Sequence, residues 1–91
     1  MVSVYAAVAL NFMPTKTNEK RWDVLIIEDA TRKVQSVAGT DLKESGSFHT
    51  VGKRLDTVAE RLNDAYSAVA VPAGKFQKFD VLPNDVEEYS E

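Results

Sequence analysis

Residues 50–69 read TVGKRLDTVAERLNDAYSAV, and no other long stretch of the chain shows so clean a period. Val51, Leu55, Val58, Leu62, Ala65 and Val69 recur at spacings of three and four, and Ala59 and Tyr66 widen the stripe. Residues so spaced share one side of a helix, so the stretch predicts a long amphipathic helix with one buried face. Thr50 suits its start, because a threonine hydroxyl accepts from a free N–H of the first turn. Gly52 falls early, where fraying softens a helix cost of roughly 1 kcal/mol. Pro72 opposes continuation past Val71.

The other side of that helix carries Asp56, Glu60 and Asp64 in one column, pointing away from the apolar stripe. Like charges one turn apart repel by about 0.2–0.5 kcal/mol, which Lys53 offsets only in part. Arg54 and Arg61 border the stripe, where their stems can cover apolar surface. Most such charge runs are solvated faces. The sharper expectation is a negative ridge that docks on a basic partner.

Working outward, residues 2–12 alternate: Val2, Val4, Ala6, Val8, Leu10 and Phe12 take one side of a predicted strand. Tyr5, Ala7 and Ala9 form a second face that admits a closely packed neighbour, a second subunit included. Residues 13–21 read as a loop, with Pro14 breaking the strand. Lys16, Lys20 and Arg21, next to Trp22, make a basic loop beside an aromatic, a combination that suits single-stranded nucleic acid. Residues 22–28, WDVLIIE, are apolar on both faces, which predicts a central or interface-covered strand. Residues 34–39 predict a weaker third strand, completing an antiparallel meander. Leu42 and Phe48 pin the loop that leads to the helix. Beyond it, residues 68–71 also suit a short strand, and residues 76–82 a final edge strand.

The expected fold class is therefore α+β: a three-stranded antiparallel meander, then one long amphipathic helix, then one or two short strands. Residues 1–82 would form a single compact domain, and residues 83–91, PNDVEEYSE, an acidic, disordered tail. With 91 residues, one domain with a thin core is the natural expectation. This order of elements is similar to the start of the ribonuclease-H-like fold and to the small versions of it in HicB-type antitoxins. The resemblance implies that order of elements without nuclease chemistry. A two-metal site needs a carboxylate in the first strand, and residues 2–12 contain none.

Chemistry is sparse. The net charge is −3, which opposes general nucleic-acid binding. Absence of cysteine removes disulfides, zinc–thiolate sites and thiol catalysis, and suits the cytoplasm. His49 is the one histidine, too few for a zinc site. Asp56, Glu60 and Asp64 lack the loop carbonyls of a calcium site. Ser45 and Ser47 flank Gly46 without a nucleophile elbow. The run at Ala73, Gly74 and Lys75 is not a phosphate loop. The segment MVSVYAAVALNFM lacks the positive n-region of a signal peptide, and is shorter than the roughly 18 apolar residues of a membrane span.

No catalytic residue, cofactor or metal is expected, and no membrane. The expectation is a small non-enzymatic protein-binding module that uses Asp56, Glu60 and Asp64. It would regulate or inhibit a larger partner with a basic surface, such as a nucleic-acid-binding protein. In size and composition it is similar to phage-encoded inhibitors and antitoxins. The alternative is a nucleic-acid-binding accessory protein using Lys16, Lys20, Arg21 and Trp22. Either is compatible with a homodimer.

Overall fold

The computed structural model describes residues 19–45 and 50–90. Strand β1 (Arg21–Glu28) is the centre of a sheet ordered β2-β1-β3, with β2 at Val34–Lys43 and β3 at Tyr66–Pro72. Both neighbours are antiparallel to β1. They therefore run in the same direction, and helix α1 (Val51–Ala59) makes the crossover between them. The β1–β3 register is unbroken from Trp22↔Pro72 to Glu28↔Tyr66, whereas β1–β2 slips at three places. Pro72 has no N–H to give and sits at the end of an edge strand, where none is needed.

Alternation in β1 sends apolar side chains to both faces, and each face has its own core. Trp22, Val24, Leu42, Val51 and Ala70 pack on the α1 side, with Leu55 and Val58 against them. Leu25, Ile27, Val34, Val71 and Leu82 pack on the other side, with Phe76 and Val86. Among the described residues that second side is covered by irregular chain. The covering segment is tied to the β1–β2 turn, where Arg32 takes a left-handed φ of 61°. Its amide donates to the Glu28 carbonyl at 2.7 Å, and the Leu82 amide donates back to the Arg32 carbonyl at 2.8 Å. Arg32 Nε and Nη2 donate to the carbonyls of Leu82 and Pro83, at 3.1 and 3.3 Å.

The long helix is overturned. The helix α1 has nine residues, and Thr50 caps its start by accepting from the Lys53 amide. Past Ala59 the bonds tighten: Arg61 N–H reaches the Val58 carbonyl and Leu62 N–H that of Ala59. Asn63 then closes a turn, its side-chain oxygen accepting from Ala65 N–H at 3.0 Å. Asn competes for backbone donors in this way, which favours turns over helix interiors. The chain beyond it, YSAVAVP, is rich in strand formers and pairs with β1. Val69 matches the helical spacing only because a strand rich in small and apolar residues also places one there, and Ala65 falls in the turn before that strand.

The meander is corrected with it. Among the described residues the strand expected at residues 34–39 precedes the helix as β2 and the one expected at residues 68–71 follows it as β3, and β3 pairs on the far side of β1, giving the order β2-β1-β3. Residues 2–12, and with them the strand that would open the ribonuclease-H-like order, lie outside the described residues. Residues 76–82 form no strand; only an isolated bridge joins Val81 to Lys33. Residues 83–90, set apart above as an acidic tail, lie against the sheet. Tyr89 N–H donates to the Ala70 carbonyl at 2.9 Å, and its ring stands edge-on to Trp22 at 5.5 Å.

Candidate functional site

The helix α1 gives the molecule two chemically opposite flanks. Asp56 on α1, Glu60 at its C-cap and Asp64 in the following turn are all exposed. Asp64 has left the helical column, because the helix ends before it. None of the three makes an ion pair among the described residues. No basic residue occupies the last turn of α1. Asp56 and Glu60 thus sit near the negative end of the helix dipole, where an acid is unfavourable.

On the other flank, α1 stands over β1 and β2 and leaves an open groove of about 560 Å³. Its apolar lining comes from Ile26, Ala38, Val58 and Leu62, with Arg54 and Arg61 from the helical side. Arg54 is half-buried, and its Nη1 donates to the Ala38 carbonyl at 2.6 Å. Gly39 makes room for that guanidinium: a Cβ there would lie 2.9 Å from Arg54 Nη1 and 3.1 Å from Leu42 Cδ1. Neither arginine meets a carboxylate among the described residues. The helical period alone places both arginines beside the stripe. It cannot show that the sheet leaves a groove beneath them.

Of the basic loop, the described residues include Lys20, Arg21 and Trp22. Lys16 lies outside the described residues. Lys20 pairs with Glu87 and places its Nζ over the Trp22 ring at 4.7 Å. Arg21 pairs with Asp41 at 3.5 Å. Trp22 is 4% exposed, so its ring is not offered to a base. Its indole N–H donates to Glu44 Oε1 at 3.0 Å. Gly46, Ser47, Phe48 and His49 lie outside the described residues.

The described residues contain no group of three or more potential metal ligands. None of their helices is long and apolar enough to cross a membrane. Phe79 and Val81 are exposed apolar side chains on the segment that runs beside β2. Phe79 is unusual in taking a φ of 76° while its side chain is 64% exposed.

Among the described residues Glu19 is the one group with a clear shift. The Ser45 hydroxyl and amide donate to its Oε1 at 2.7 and 3.1 Å and hold its carboxyl below the ordinary 4.5. Desolvation opposes the lowering, and the Lys43 and Arg21 charges add to it by less. A depressed carboxylate contributes stability that is present above its unfolded value and lost as pH falls through the folded one. An NMR titration of the Glu19 carboxyl should find a midpoint below 4.5, moving upward in Ser45→Ala. An unmoved midpoint would remove this contact from the structure in solution.

No protein-family model, no curated protein and no solved structure matches the chain.

Proposed function

We propose that the protein is a small non-enzymatic binding module that regulates or inhibits a larger protein partner. The contact surface is the acidic flank of Asp56, Glu60 and Asp64, and the partner presents a basic surface, as nucleic-acid-binding proteins do. One observation carries this reading: three exposed carboxylates, without counter-ions among the described residues, gather at and just past the C-terminal end of α1. Their position costs the fold stability, at about 0.3–1 kcal/mol for an acid in the last turn. A surface feature that weakens its own helix is better explained by an external contact than by folding.

The test is charge reversal. Asp56→Lys, Glu60→Lys and Asp64→Lys together should leave the circular dichroism unchanged and the melting temperature equal or higher. In a pull-down from the source lysate, the native chain should recover a protein that high salt releases. The triple variant should not recover it. Equal recovery by both chains would overturn the acidic flank as the contact.

A further inference from the structure

We propose that the groove between α1 and the β1–β2 face binds a small amphipathic anion: a monocarboxylate with an unbranched apolar body. This inference does not rest on the acidic flank or on the partner proposed for it. Its basis is a pair of cations and an apolar floor, with no carboxylate among the described residues to neutralise them.

Size comes first. About 560 Å³ lies inside the range of small-molecule sites, roughly 300–1,000 Å³. The floor is made by half-buried Ile26, Ala38, Val58 and Leu62, all of which retain apolar surface that a ligand chain would cover. The small Ala38 side chain lets such a chain approach the sheet closely.

The head group follows from the arginines. A half-buried guanidinium is poorly solvated, and a charge in that condition calls for a counter-ion. Arg54 spends one nitrogen on the Ala38 carbonyl, which fixes its direction and leaves its other N–H donors available. Arg61, exposed on the same groove, adds a second fork of donors. Guanidinium and carboxylate match in geometry and form short, charge-assisted bonds. Gly39 completes the arrangement as a positioning residue, because any side chain there would displace the Arg54 guanidinium. An ammonium head would be repelled, and a neutral alcohol would leave the cations unpaired.

The test uses the full chain, labelled with ¹⁵N, and sodium decanoate below its micelle-forming concentration as the probe. Decyltrimethylammonium supplies the same tail with the opposite charge. Decanoate should give saturable amide shifts at Ile26, Ala38, Val58 and Leu62, and the ammonium should give none there. Arg61→Gln, at an exposed position, should keep the folded spectrum and weaken decanoate binding about tenfold, as expected for loss of one charged hydrogen bond. Gly39→Ala should weaken it by a similar factor through Arg54. Four results would each overturn the site: no saturable shift, shifts centred elsewhere, equal response to both amphiphiles, or native affinity in Arg61→Gln. So would nuclear Overhauser contacts from residues 2–12 to Val58 and Leu62, which would give the groove to the chain itself.

Discussion

Asp23→Ala is expected to destabilise the protein by about 3–5 kcal/mol, because two charge-assisted hydrogen bonds at about 1.5–3 kcal/mol each are lost together. Asp23 is the one buried charged residue among those described, at 6% exposure, in a strand otherwise packed with apolar side chains. Its Oδ1 accepts from the Asp41 amide at 2.8 Å and its Oδ2 from the Gly74 amide at 2.9 Å. Both donors belong to backbone in left-handed conformation, φ 55° at Asp41 and φ 82° at Gly74. One carboxylate thus holds the irregular end of β2 and the turn after β3 to the central strand. Truncation leaves two amides without an acceptor. A domain of this length has a total stability of roughly 5–14 kcal/mol. Urea unfolding should therefore show a large fall in midpoint at an unchanged slope. Asp23→Asn keeps one acceptor oxygen and turns an amide group toward the second donor, so it should lose about half as much. An asparagine variant as stable as the native protein would show that the two bonds do not act as a pair.

Trp22→Ala is the second large effect, at about 3–5 kcal/mol for truncating a buried aromatic. The side chain lies at the junction of three elements. It sits opposite Leu42 on β2 and Pro72 on β3, packs with Val51 of α1, and receives the edge of Tyr89 at an interplanar angle of 75°. Trp22→Phe keeps much of the volume but loses the indole N–H that reaches Glu44, so its cost should be nearer 1–2 kcal/mol. Trp22 is the only tryptophan in the chain, so the emission of the native protein reports its burial directly. A double-mutant cycle with Tyr89→Ala isolates the ring pair, whose coupling should be about 0.5–1.5 kcal/mol. Zero coupling would mean that residues 83–90 do not hold this position in solution.

Much of the central sheet is legible in the sequence. The run WDVLIIE has apolar residues in both phases, and the strand it forms is central and covered on both faces. Thr50 reads correctly as a cap because the capping hydroxyl is a local interaction. The helix length does not read correctly, because Asn63 and Asp64 interrupt a pattern that Ala65 and Val69 continue by coincidence. Weighing the Asn–Asp pair as a turn, and YSAVAV as an alternating strand, would have split the stretch where the structure does. The loose alternation that suggested an edge strand at residues 76–82 misleads, because residues 76–86 form no strand. They cover a sheet face through Phe76, Leu82 and Val86, which have no regular spacing. Of the surface features, the column of Asp56 and Glu60 follows from helical geometry and the place of Asp64 does not, while the arginine-lined groove depends on a sheet that approaches α1 from elsewhere in the chain. Asp23 did carry a signal, a lone acid inside a doubly apolar strand. Its burial demands partners, which are here two distant backbone amides.

The path of residues 76–90 has a consequence for how the molecule opens. Leu82 belongs to the core on one side of the sheet, and Tyr89 packs against the core on the other. Among the described residues this one segment is the only covering layer that the two cores share. Detaching it at Arg32 would uncover Leu25 and Ile27, while pulling it from Trp22 would loosen the face beneath α1. The two faces are therefore mechanically coupled, like two pages held by a single stitch. Local opening that frees one face transmits a loss of restraint to the other, favouring cooperative unfolding over independent fraying of two small cores.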